Sequence, residues 1–110
     1  MFKKGDIVAV NFPFSDLSGR KKRPALILSN DKVNQSGDLL LIQITSKVKR
    51  DGFSLPLEDS NYEGQPLPLK SFIRIHKIFT LHESLIINKV TGITSEFNET
   101  VTHKIIELIS

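Results

Sequence analysis

The residues best placed to do chemistry are Arg74 and His76, two apart in Ser71-Phe72-Ile73-Arg74-Ile75-His76. That segment alternates, so a β-strand sends Phe72, Arg74 and His76 to one face and Ile73 with Ile75 to the other. An imidazole of ordinary pKa, about 6.5, can accept a proton at neutral pH. A guanidinium can hold a phosphate through two parallel hydrogen bonds. The combination suits transfer at a phosphodiester, where charge builds on the non-bridging oxygens. A solvated strand face explains the same spacing more simply, and both explanations stay open here. Thr45 and Ser46 follow the most β-prone segment of the chain and could add hydroxyl or backbone donors, although simple strand termination accounts for such pairs more often.

Charge supplies a second cue. The net charge is +3, a mild excess, but its placement is uneven. Arg20-Lys21-Lys22-Arg23 forms one basic cluster and Lys47, Lys49 and Arg50 another, with Asp38 the one acid between Asp31 and Asp51. Acids gather instead at Glu58, Asp59 and Glu63. Two solvated loops would look the same. If the fold brings both clusters to one face, they make a footprint for a polyanion.

Other chemistries are poorly served. There is no cysteine, so disulfides, thiolate catalysis and cysteine-bound zinc are excluded, and three scattered histidines do not suggest a metal site. No Gly-rich phosphate loop, HExxH or GxSxG motif occurs. The Glu58-Asp59 pair lies beside prolines and looks like solubilising charge. Neither metal nor organic cofactor is expected.

The elements that must position these residues can be read from period and punctuation. The 110 residues point to a single domain spanning 1–110. Asp6 to Phe12 is apolar on both sides and reads as a mostly buried strand, stopped by Pro13 and followed by an exposed loop. Pro24 to Ser29 is a second strand, led by a proline that a first position tolerates. Asn30 to Asp38 is a loop or one short helical turn, and Leu39 to Thr45 a central strand. Phe53 to Leu57 alternates around Pro56, as an edge strand would, and Asn61 to Lys70 is a loop. Lys77 to Leu81 continues the sheet after a bend, and a short apolar stretch, Ser84 to Val90, follows.

The period then changes. Phe97, Val101, Ile105, Leu108 and Ile109 fall at helical spacing behind Thr94-Ser95 as N-cap, with Glu96 and Glu99 expected in the first turn. The whole is mainly β: a small barrel or strongly bent sheet with a C-terminal helix over one open side. No apolar run long enough for a transmembrane helix occurs, and an acid at Asp6 interrupts any signal peptide, so a cytoplasmic protein without membrane contact is expected.

The order of segments resembles the PemK/MazF toxins of bacterial toxin–antitoxin pairs. The resemblance rests on Gly5-Asp6-Ile7-Val8 through Phe12-Pro13, then Lys22-Arg23-Pro24-Ala25-Leu26-Ile27-Leu28-Ser29, then Ile44-Thr45-Ser46, and Ser71 to Thr80 before the helix. It covers essentially the whole chain. It implies a dimeric, bent barrel of the PemK/CcdB-like type that cuts single-stranded mRNA at a short sequence, without a metal. The 2′-hydroxyl attacks the adjacent phosphate, leaving a 2′,3′-cyclic phosphate and a 5′-hydroxyl.

By the same resemblance the catalytic positions are Arg23, Thr45, Arg74 and His76, and the RNA-binding positions are Lys21, Lys22, Ser46, Lys47 and Lys49. His76 would be the general base, or Arg23 and Thr45 would carry most of the catalysis. The chain departs from the family where His76-Lys77 replaces an acid followed by glutamine, where Phe79 replaces a basic residue, and where Leu17 replaces a histidine found in some members. The resemblance also implies a cognate antitoxin whose disordered acidic tail lies along the basic groove. A barrel that binds nucleic acid or peptide without cutting, and a gyrase inhibitor like the CcdB toxins, are the alternatives.

Overall fold

The computed structural model describes residues 1–11 and 22–110; the loop expected after the first strand, with Arg20 and Lys21, lies outside them. Among the described residues six strands form one antiparallel sheet: β1 Asp6–Asn11, β2 Lys22–Ile27, β3 Asp38–Thr45, β4 Ser54–Leu57, β5 Ser71–His82 and β6 Ile86–Gly92, in the order β4-β5-β3-β2-β1-β6. A one-turn helix, α1 (Asp31–Asn34), joins β2 to β3, and α2 (Ser95–Ile109) ends the chain. β3 is an interior strand and β4 an edge strand, as expected of a β-branched run and of a strand containing proline.

Both faces of the sheet are apolar because it bends enough to shelter both. On one face Ile7, Leu26, Ile42, Ile44, Ile73 and Ile75 pack with Phe97 and Val101 of α2. The alternate residues Val8, Val10, Ala25, Ile27, Leu39 and Leu41 form a second buried cluster. Strict alternation of two apolar sets along β1 to β3 follows from the period of two. The edges β4 and β6 share no ladder, so the sheet is strongly bent but not closed. What joins them is the chain between β4 and β5: Tyr62 bridges Ile93, Glu63 N–H donates to Gly92 O (2.9 Å) and Thr94 N–H to Asn61 O (2.9 Å).

Three details differ from expectation, one at a strand boundary and two in the C-terminal helix. β2 begins at Lys22, so Pro24 is its third residue; the sheet accepts it because Lys22, Arg23 and Pro24 pair only with β1, and pairing to β3 starts at Ala25. α2 is capped by Thr94, whose Oγ1 accepts from Phe97 N–H (3.1 Å), and Glu96 lies in its first turn, but Glu99 is a turn further on. The helix, about 22 Å long at 15 residues, also outruns the sheet. Phe97 and Val101 are buried, Ile105 packs partly, and Leu108 and Ile109 are exposed, Ile109 at 81%.

Gly5 shows how tightly the N-terminus is built in. Its φ of +95° suits glycine, its N–H donates to Ile27 O (2.9 Å), and its carbonyl accepts from Ile93 N–H (3.0 Å). A Cβ there would lie 2.9 Å from Asn98 Nδ2. Gly5→Ala should therefore cost about 1–3 kcal/mol, read as a lower urea midpoint with an unchanged slope. An unshifted midpoint would mean that this turn relaxes freely.

Candidate active site

A groove opens where β2 and β3 part. Their ladder covers only Ala25–Ile27 against Gln43–Leu41. Beyond it, Lys22-Arg23-Pro24 stays with β1, while Ile44 and Thr45 turn to pair with Ile73 and Phe72 of β5. Pro24 has no N–H to offer across the gap. The resulting groove, about 450 Å³, has Lys22, Arg23 and Pro24 on one side and Ile44, Thr45, Ser46 and Lys47 on the other. A third wall comes from Leu67, Pro68, Leu69 and Ser71, ahead of and at the start of β5, with Ala9 and Val90 completing the lining. Val90 is turned out by an irregularity in the β1–β6 ladder, which steps from Ile7↔Thr91 to Val8↔Lys89.

The polar groups in the groove are few and placed by backbone. Thr45 is 9% exposed, and its Oγ1 accepts from Lys47 N–H (3.1 Å), which leaves the hydroxyl proton to donate elsewhere. Arg23 is half-buried, and its Nε has no hydrogen-bond partner among the described residues. A buried guanidinium N–H without a partner is an unspent donor in a site that also collects two lysines. The structure thus brings together Arg23, Thr45, Lys22, Ser46 and Lys47. Lys49 is exposed on the turn beyond and does not line the groove, and Lys21 lies outside the described residues.

Arg74 and His76 are placed differently. Ile73 and Ile75 do face the core, as the alternation requires. The opposite face, however, is not an open one. Arg74 is only 6% exposed; Nη1 and Nη2 donate to Asp51 Oδ1 (3.0 Å) and Oδ2 (2.8 Å), and Nη1 also to Ser54 Oγ (2.8 Å). The fork expected to be free for a phosphate is filled by a carboxylate. This bond from Arg74 holds the Asp51 carboxyl well below the usual carboxylate range, with Phe53 N–H donating to the same group (3.1 Å).

His76 is exposed, and its ring lies on that of Phe53, centroids 4.4 Å apart. Partial desolvation there, then the positive charges of Arg74 and Lys77, lower its pKa from the ordinary value. Neither Arg74 nor His76 lines the groove. The cause is a step in the β3–β5 ladder from Ile44↔Ile73 to Ile42↔Ile78, which sets Arg74 to Lys77 opposite the single residue Gln43. This is the bend expected before Lys77, and it carries His76 away from the β3 ladder.

Sequence reasoning missed Asp51 and the Leu67 to Leu69 wall. The signal for the first was an acid at the end of a basic run, followed by Gly52, whose φ is +84°. The Glu58-Asp59 pair has a structural use: Glu58 flanks the single turn Asp59–Asn61, its N–H donating to Asn61 Oδ1 (2.8 Å), and its carboxylate meets Lys70 Nζ (2.7 Å).

Comparison with known proteins bears on what such a groove belongs to. No curated protein sequence matches the chain. Among solved structures it resembles a mycobacterial endoribonuclease in complex with its cognate antitoxin, with TM-score 0.77 and 17% identity over 99% of this chain and 95% of that one. It is similar to MazF from Deinococcus radiodurans, with TM-score 0.76 and 21% identity over 98% and 96% of the two chains. A MazF toxin of Mycobacterium tuberculosis gives TM-score 0.70 and 17% identity over 91% of each. At such identities these likenesses establish a shared fold. The family model of PemK-like, MazF-like toxins of type II toxin–antitoxin systems matches residues 3–109, nearly the entire chain. The chain therefore belongs to the PemK/MazF toxin family.

Proposed function

We propose that this toxin is an endoribonuclease that cuts single-stranded mRNA at a short sequence in the Arg23–Thr45 groove. The observation that carries the reading is the meeting of Arg23, with its unpartnered Nε, and the Thr45 hydroxyl in one cationic groove. In the reaction the 2′-hydroxyl gives its proton to water as its oxygen bonds to phosphorus, the bond from phosphorus to the 5′-oxygen breaks as that oxygen takes up a proton, and a 2′,3′-cyclic phosphate and a 5′-hydroxyl result. Arg23 stabilises the charge on the phosphorane oxygens or protonates the departing oxygen. Thr45 donates to the same phosphate, and Lys22, Ser46 and Lys47 hold the strand. DNA lacks the nucleophile and is bound without being cut.

No carboxylate or imidazole is among the groove's described lining residues, so positioning and charge carry more of the rate than a dedicated base. The same donor set is unsuited to chelating a divalent cation, and three cationic side chains can do the neutralising a metal would do. We infer metal-independent cleavage on that ground. In the solved structure of a mycobacterial relative the endoribonuclease is in complex with its cognate antitoxin; for this chain, an antitoxin with a disordered acidic tail would complement the cationic groove. A homodimer in the cytoplasm completes the reading. No helix among the described residues is long and apolar enough to cross a membrane.

The test is incubation of mixed-sequence RNA with the protein and EDTA, followed by end analysis. Fragments with 5′-hydroxyl and cyclic phosphate ends are expected. The lack of a base among the groove's described lining residues favours one second reading, a barrel that binds RNA without cutting it, and intact RNA with salt-sensitive binding would establish that instead.

A further inference from the structure

We propose that the stacked rings of Phe53 and His76 form a platform for one nucleobase of single-stranded RNA, outside the groove that holds the cleaved bond. The proposal rests on the ribonuclease reading for its substrate class. It gives His76 a different task from that of a general base.

Three observations lead there. The first is geometry. The rings lie 4.4 Å apart at 31°, and His76 is exposed, so one face of the imidazole covers Phe53 while the other is open to a further ring. β4 is an edge strand, and Arg74 to Lys77 have left the β3 ladder, so among the described residues no further strand pairs beside the two rings. The second is charge. Lys47, Lys49 and Arg50 are all exposed on the turn that leads from the groove to Phe53, and Lys77 follows His76. The acid in this turn, Asp51, is committed to Arg74. A basic track thus runs from Lys47 in the groove to the ring pair, six residues on and no more than about 22 Å of chain.

The third is the ring's charge state. Its lowered pKa keeps the imidazole neutral at neutral pH, so it offers a plane to stack on more than a cation to pair with. Base stacking on protein rings tolerates any sequence and adds affinity along a cationic track. Arg74 is then a positioning residue: by tying Asp51 and Ser54 to β5, it holds the turn and Phe53 against His76.

The experiment measures binding of a labelled, mixed-sequence 2′-O-methyl RNA about twelve nucleotides long, which lacks the attacking hydroxyl. Replacing His76 by alanine should weaken binding roughly five- to a hundredfold, and His76→Phe should restore it to within about threefold. Unchanged binding in the alanine variant overturns the proposal. So does a phenylalanine variant as weak as alanine, since the imidazole itself would then be needed. Circular dichroism and urea midpoints confirm that both variants fold. Cleavage of unmodified RNA is assayed alongside. If the wild type cuts nothing while the binding pattern holds, the ribonuclease reading fails and the platform stands. Cleavage by wild type with binding indifferent to His76 gives the reverse.

Discussion

Arg23→Ala should lower the rate of RNA cleavage by about 10²–10⁴-fold while leaving the urea midpoint where it was. The two halves of that result have separate causes. Rate falls because, in the proposed mechanism, the guanidinium is the strongest donor to the charge that develops on the phosphorane. Stability is expected to hold because Arg23 Nε has no partner among the described residues, so truncation orphans no partner of that nitrogen among them. A buried donor without a partner is a cost in the empty protein, relieved when an anion arrives.

Arg23→Lys adds a graded check. The charge survives, but the planar fork is lost, so an intermediate rate is expected. Initial rates of 5′-hydroxyl fragment release measure both variants. Undiminished cleavage by Arg23→Ala would remove this residue from the mechanism and shift the burden to Thr45 and the lysines.

What could be read from sequence divides along the range of the interactions. The N-cap of α2 is local: Thr94 and Phe97 are three residues apart, and helical spacing names the side chains that turn inward. The Arg23–Thr45 groove was expected from the family resemblance, through Lys22-Arg23-Pro24 and Ile44-Thr45-Ser46; the residues alone offered only two basic clusters that could share a face. The state of Arg74 was not readable. Its partner Asp51 lies 23 residues away across a strand pair, and alternation says only which face a side chain takes, not what already waits there. His76 was displaced by the step in the β3–β5 ladder, which depends on how far β5 must bend to serve both β3 and β4. The Leu67 to Leu69 segment announced itself as a loop through its prolines, but a loop's position as a groove wall is a tertiary fact.

Ile73→Ala should be the converse of Arg23→Ala: a loss of about 2–5 kcal/mol in stability with little change in turnover per folded molecule. Ile73 is fully buried and stands opposite Ile44 on β3 and Leu55 on β4, so it packs at the junction of three strands. Its side chain belongs to the cluster that includes Phe97 and Val101 of α2. Truncation therefore leaves a cavity between sheet and helix, and two flanking ladders resist the collapse that would fill it. Against a total stability of about 5–15 kcal/mol, this is a large fraction.

The groups proposed to act on RNA are spared because Thr45 has two restraints of its own, its pairing with Phe72 and its hydroxyl's acceptance from Lys47 N–H. Arg23 belongs to the β1–β2 ladder, with which Ile73 has no strand pairing. The measurement pairs a urea titration with cleavage rates normalised to the folded fraction. A normalised rate that collapses with stability would show that the groove is held open by the core beneath it. It would then be wrong to credit the groove's shape to the parting of β2 and β3 alone.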